Sequence, residues 1–223
     1  CSGKIAIIDT GSGDTMGPAL GMLPKLLRAL DISVERVDSI LLTHMHPDHS
    51  NGLSDSMGER LFPNAEVVVS EKDVAFWHDD AEMARASESQ RVRYFEGARF
   101  QIAPYMDRIK PAGGDVFPNV KAVDLSGHTP GHTGYLVQSS GESLLIWGDI
   151  CHVPDIQVRQ PEVTMVFDVD PEAAITTRRQ TFDMVSADRM LVAGMHLHFP
   201  GFSYMVRNQD GYRMVPENWA FTL

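Results

Sequence analysis

Short apolar runs alternate with amphipathic stretches through most of this chain. Ile5–Ile8, Ser39–Leu42 and Ala65–Val69 are bounded by turn residues and read as buried strands. Leu20, Leu23, Leu26, Leu27 and Leu30 recur at helical spacing and predict an amphipathic helix within residues 18–30. Pro24 falls inside that run, so the helix starts either near Pro18 or at Pro24. Ser70-Glu71-Lys72-Asp73 predicts a capped helix start directly after the third strand.

From Phe76 to about Ile109 aromatic residues are spread among charged ones, with little room for strands. This reads as an inserted helical segment able to cover a site. The alternation then returns. Val120–Leu125, Tyr135–Gln138, Ser143–Trp147, Val163–Phe167 and Met190–Val192 predict strands. Pro171–Ala187 predicts a helix with Ile175, Phe182 and Val185 on its apolar side. Ser203–Leu223 reads as a hairpin around Gln209-Asp210-Gly211 with a closing tail. Neither a linker nor a low-complexity segment interrupts the 223 residues, which predicts an α/β chain forming one domain over 1–223.

Composition narrows the classes. Thirty acidic against 19 basic residues leave a formal net charge of −11, which argues against holding nucleic acid through its phosphates. No run approaches the ~20 apolar residues of a membrane span. Cys1 and Cys151 are the only cysteines, so no disulfide framework exists, and cytoplasm, periplasm or secretion all stay open. Cys1-Ser2-Gly3-Lys4 reads as a turn entering the first strand. A turn ordinarily follows a strand, so N-terminal strands, with any export signal, are expected to precede this sequence.

The chemistry concentrates in Thr43-His44-Met45-His46-Pro47-Asp48-His49, on the loop after a buried strand. On extended backbone His44 and His46 point to one side. As the chain turns into a helix, Asp48 and His49 aim at a second point close by, which makes half of a dinuclear metal site. Imidazole with carboxylate suits zinc, iron, manganese or cobalt better than copper or calcium. The competing reading is a mononuclear or structural metal. Structural zinc usually takes a cysteine-rich closed shell, and neither cysteine lies in this segment. Asp9 either orients a metal-bound histidine or caps its own turn. His78, beside Asp79 and Asp80, reads as a solvated surface residue.

Ligand-type clusters recur at 44–49, 128–132, 149–152 and 196–198, each just past a predicted strand. Strand ends gathered at one edge of stacked sheets would bring these loops together. In this ordered set (Thr43–His49, Gly127-His128-Thr129-Pro130-Gly131-His132, Gly148-Asp149 and His196) the chain resembles the metallo-β-lactamase superfamily of hydrolases. The segments Trp147–His152 and His196–Gly201 look most like its methyl parathion hydrolase branch, which is similar to lactonases and arylesterases.

The resemblance implies a four-layer αβ/βα sandwich and two divalent metal ions, foremost zinc. It implies that His44, His46 and His132 bind one ion, that Asp48, His49 and His196 bind the other, and that Asp149 bridges them. His128 would then be structural or support a ligand, and His198 would be a polar residue at the rim. True β-lactamases of this fold usually lack the bridging aspartate, which argues against that activity. Flavodiiron proteins carry an acidic residue where His46 stands. Acyl-homoserine lactonases often have a tyrosine three residues past the bridging aspartate, where this chain has His152.

No Gly-x-Ser-x-Gly elbow is present, so the expected nucleophile is water, held as hydroxide between two metals. Asp48 would shuttle its proton to the leaving group. His152 would either donate a hydrogen bond to the reacting oxygen or only support a ligand. Trp77, Phe95 and Met16 are pocket candidates, although ordinary packing is the simpler role for each. The expected substrate is a small ester, lactone or phosphotriester with an apolar leaving group, and a homodimer is compatible with this reading. The alternatives are a glyoxalase II-type thioester hydrolase, thinly supported by Arg207 and Arg213 in the tail, and a non-catalytic metal-binding protein on the same scaffold.

Overall fold

The computed structural model describes residues 3–209 and 211–218. The expected turn at Cys1-Ser2, the hairpin residue Asp210 and the tail 219–223 lie outside the described residues. The chain packs as two compact units, Cys1–Pro118 and Asn119–Leu223, each with its own sheet and core.

In the first unit β1 (Ala6–Ile8), β2 (Ser39–Leu41), β3 (Glu66–Val69) and β4 (Ile109–Pro111) form a sheet in the order β1-β2-β3-β4. Its pairings are parallel, with Ile7 opposite Ile40 and Leu41 opposite Val68. Parallel strands are covered on both faces, which is why they read as continuous apolar runs. Ile40, Leu42, Val67 and Val69 accordingly sit in the core with Leu53, Phe62 and Tyr105. β4 was not legible as a strand, since Ile109-Lys110-Pro111 carries one apolar residue and a proline.

The first helix, α1 (Leu23–Ala29), has its proline in the first turn, in agreement with the later of the two starts. Its apolar stripe is narrower than its leucine content suggests. Leu23 and Leu27, four residues apart, face the core, whereas Leu20, Leu26 and Leu30 are exposed. The single turn α2 (Pro47–Ser50) follows β2. After β3 come α3 (Glu71–Trp77), α4 (Asp80–Arg85) and α5 (Glu88–Gln90). A π-helical turn (Arg91–Glu96) then leads into α6 (Gly97–Ile102), so the segment expected to be helical is helical. At α3 the capping expectation fails in part: Ser70 holds the N-cap position without a side-chain cap bond. β5 (Asp115–Phe117) closes the unit.

In the second unit β6 (Val120–Asp124), β7 (Thr133–Ser139) and β8 (Glu142–Ile146) form a meander. The chain then passes through α7 (Pro154–Gln157) and α8 (Pro171–Ala187) before β9 (Leu191–Ala193) returns parallel to β8. β10 (Phe202–Asn208) and β11 (Gly211–Pro216) make the expected hairpin, beside β9. α8 has the span its pattern predicts. Asp170 caps it by accepting from Ala173 N–H at 3.0 Å, and Phe182 and Val185 bury against Trp147 and Val192.

Val163–Phe167 is not a strand. Its polar backbone is engaged by side chains instead of by a ladder. Gln157 and Arg178 both donate to the carbonyl of Val163, and Met165 N–H donates to Asp168. No helix of the described residues is long and apolar enough to cross a membrane.

Cys151 is fully buried in this second core, and burial pushes its thiol up to about 12. Thiol reagents attack the thiolate. Cys151 is therefore expected to resist iodoacetamide at pH 8 in native buffer and to react at once in urea. Mass-spectrometric peptide mapping checks this, and rapid native labelling at Cys151 would contradict the buried placement.

Candidate metal centre

In the first unit Asp9 is the hub that shapes the histidine loop. Its residue adopts a left-handed backbone (φ 57°), a conformation aspartate tolerates better than most residues. Its carboxylate accepts from Thr43 N–H at 2.7 Å and Thr43 Oγ1 at 2.8 Å, and from His49 Nδ1 at 2.8 Å. Of the two roles open to it, Asp9 orients a histidine. Thr43 Oγ1 in turn lies 3.0 Å from His44 Nδ1. With each Nδ1 so engaged, His44 turns Nε2 toward His46 Nδ1 at 3.1 Å, and His49 turns Nε2 toward Asp48 Oδ2 at 3.5 Å.

The loop after β1 clamps α2 from behind. Thr10 N–H and Oγ1 both donate to the His49 carbonyl, at 2.7 and 3.0 Å. A Cβ on Gly52 would lie 2.2 Å from the Thr10 carbonyl oxygen, so only glycine lets the two backbones meet.

Asp73 was not legible as part of this apparatus. It is fully buried, accepts Met45 N–H at 2.9 Å, and receives Trp77 Nε1 at 3.3 Å. A carboxylate from α3 therefore fixes the peptide between His44 and His46. Trp77 and Phe95, expected as pocket walls, belong to the packed core of this unit. Trp77 still touches the chemistry, since its ring meets His46 edge-on at 5.3 Å. Tyr94, one of the aromatic residues of this segment but not an expected pocket wall, lies against His46 at 5.1 Å and is only partly buried. Met16 is exposed on the loop before α1. His78 is exposed as expected, with Nδ1 on the Val74 carbonyl.

In the second unit the donor atoms gather around one carboxylate oxygen. His152, His196 and His128 place Nε2 at 3.0, 3.3 and 3.4 Å from Asp149 Oδ2. Asp168 holds His128 from the other side, at 2.7 Å from Nδ1. Burial alone would lower the His128 pKa, but bonds to Asp149 and Asp168 outweigh it and the net direction is up. Burial would raise Asp168, and His128 with Met165 N–H brings it below the usual carboxylate range. For His152 burial prevails over the pull of Asp149, with the nearby His128 and His196 adding to it, and its pKa falls. His196 stacks on His152 at 4.9 Å, and Phe167 meets the His152 ring at 5.0 Å. His198 is exposed and pairs with Asp155 at 3.3 Å, as expected of a rim residue.

His132 differs from its expected role as a ligand. Nδ1 donates to the Leu125 carbonyl at 2.9 Å, and Nε2 accepts Asp149 N–H at 2.9 Å. Both ring nitrogens are spent on backbone, so His132 braces the Asp149 loop and does not present a lone pair. His128 presents the ligand-type nitrogen of that motif. Gly127 permits this placement with φ 140°, because a Cβ there would lie 2.5 Å from Ala174 N in α8.

The donors fit divalent metal. Two nitrogens each ~2.05 Å from a tetrahedral zinc lie roughly 3.3 Å apart, close to the separations within each donor group. One carboxylate oxygen cannot accept three N–H groups in good geometry. Three imidazole nitrogens converging on Asp149 Oδ2 are what a shared cation would organise, and His128, Asp149 and His152 form a group able to hold one. Each of His44, His49 and His128 has Nδ1 fixed by a hydrogen bond, the orienting partner that metal-ligating histidines need.

Residues 2–196 match the family model described as the metallo-β-lactamase superfamily. A crystal structure of the hydrolase AbOPH in the β-lactamase superfamily is 34% identical with a TM-score of 0.90, covering 98% of this chain and 77% of that one. The dizinc quorum-quenching lactonase AidC, bound to N-hexanoyl-L-homoserine, is 23% identical with a TM-score of 0.91, covering 99% and 78%. An N-acyl homoserine lactone hydrolase with its product at the catalytic metal centre is 18% identical with a TM-score of 0.63, covering 90% and 83%. A search of curated proteins gives no match.

Proposed function

The chain belongs to the metallo-β-lactamase superfamily, and from that premise we propose that it is a dinuclear metal-dependent hydrolase of esters, lactones or phosphotriesters. The observation that carries the proposal is the pairing of donors within each group: His44 with His46, Asp48 with His49, and Asp149 with its histidines. One family model runs through both units, which supports assigning the groups to one reaction centre. In this reading His44, His46 and His128 would hold one ion and Asp48, His49 and His196 the other, with Asp149 available to both.

Two such cations, zinc foremost, would lower the pKa of water to about 7 and polarise a C=O or P=O bond. The remaining steps belong to side chains. Asp48, partly exposed and beside His49, takes the proton from the attacking water and passes it to the leaving oxygen. His152, neutral by its lowered pKa and bonded to Asp149, keeps that carboxylate aimed and excludes water behind it. Phe167 meets the His152 ring edge to face. An apolar leaving group, as carried by aryl esters and aryl phosphotriesters, suits the Tyr94 ring that lies beside His46.

Metal-quantified protein assayed on dihydrocoumarin, γ-lactones, an aryl phosphotriester and S-lactoylglutathione tests this. About two metals per chain, with lactone or ester turnover abolished by chelator and restored by zinc, is the expected outcome. Turnover confined to S-lactoylglutathione would replace it with the thioester reading. Tightly held metal without turnover on any of the four would make the protein a binder.

A further inference from the structure

A cavity of about 510 Å³ opens in the second unit between α7 and the β10–β11 hairpin, and the reaction above makes no use of it. Its size is that of pockets for small organic ligands. Arg159 and Arg213 both line it, from the segment after α7 and from β11. Neither guanidinium has a carboxylate partner among the described residues. Other arginines spend their charge on carboxylates, for example Arg60 with Asp107, Arg85 with Glu82, Arg99 with Asp80 and Arg179 with Glu162. In a chain of net charge −11, two arginines without carboxylate partners on one cavity make it locally cationic.

The other lining groups define what would fit. Asp155 is the cavity's one acidic residue, and His198 engages it at 3.3 Å. Val158, buried, and Met214 supply apolar wall. Guanidinium forks recognise planar carboxylates through paired N–H donors, while an apolar wall rewards an attached hydrocarbon. The hairpin is set against this segment, because a Cβ on Gly211 would lie 3.3 Å from the Arg159 carbonyl oxygen.

We propose that this cavity is a binding site for a small organic carboxylate with a short apolar chain, held by Arg159 and Arg213 and independent of the metal donors. Inorganic phosphate has no use for the apolar wall.

Calorimetric titration of the metal-loaded protein with hexanoate, acetate, inorganic phosphate and hexanol tests the assignment. Hexanoate is expected to bind at least tenfold more tightly than acetate or phosphate, and hexanol not at all. The double variant Arg159→Gln/Arg213→Gln should weaken hexanoate at least tenfold at unchanged metal content. Both side chains are exposed, so its melting temperature should match that of the parent. His196→Ala should leave hexanoate binding intact. Binding that survives the double variant but is lost with His196→Ala would mean that the anion sits on metal, and the proposal fails. Equal affinity for hexanoate, acetate and phosphate, or no hexanoate binding at 10 mM (about the top of a practical titration range), would also overturn it.

Discussion

Replacing Asp149 with alanine is expected to cut hydrolysis at least about 100-fold, more than loss of an outer-shell partner costs in comparable sites, and to lower metal content. The reason lies in one oxygen. His152, His196 and His128 all approach Asp149 Oδ2 within 3.4 Å, and the carboxylate is the only anion among them. Without it the three imidazoles lose the carboxylate they share, with only His128 keeping Asp168, and a cation bound there loses a negative ligand. Asp149→Asn separates charge from packing: it keeps the volume and the backbone bond to His132 Nε2 but removes the charge. It should fail nearly as badly. His152→Ala, by contrast, should spare most of the metal while lowering turnover. Initial rates on an aryl ester beside elemental analysis decide the matter, and an Asp149→Asn protein with normal metal and normal rate would remove Asp149 from the centre.

The second large effect is on stability. Arg178, 1% exposed in the middle of α8, donates to the carbonyls of Ile150 at 2.7 Å, Pro161 at 2.6 Å and Val163 at 3.0 Å. Its burial lowers its pKa, and Asp168 at 4.0 Å is the nearest counter-charge. Substituting leucine strips the bond from the Ile150 and Pro161 carbonyls, leaves Val163 with Gln157 alone, and leaves Asp168 without that cation. Each unsatisfied buried acceptor costs about 1–3 kcal/mol, and a broken buried ion pair about 3–5 kcal/mol. Arg178→Leu should therefore lose about 3–5 kcal/mol in urea unfolding, and lysine should recover little because it lacks the planar fork. A loss below about 1 kcal/mol would show that the segment between Asp149 and Asp168 is held in place by something else.

What could be read from the chain follows from the range of each interaction. His44, His46, Asp48 and His49 lie on one loop, and strand periodicity with a helix start orients them, so no tertiary knowledge was needed. α8 was equally plain, because proline, apolar spacing and length agree. Asp73, Asp168 and Arg178 were invisible. Each works on backbone or imidazole 15 to 40 residues away, and no local pattern marks a buried ion for such duty. The choice between His128 and His132 failed for a related reason. Spacing places both on one turn, but it does not reveal that the Leu125 carbonyl and Asp149 N–H use up the second ring. Trp77 and Phe95 were candidate walls by composition, and packing against Phe76 drew them into the core.

The wide π-helical turn at Arg91–Glu96 carries one residue more than an α-helical turn would need, and it is what brings Tyr94 up to His46. Such a turn behaves as an insertion that a lineage can gain or lose in a single step. Losing it would swing the phenol about 100° around the helix axis and leave every donor in place, so the surroundings of His46 can be retuned by a change in chain length alone.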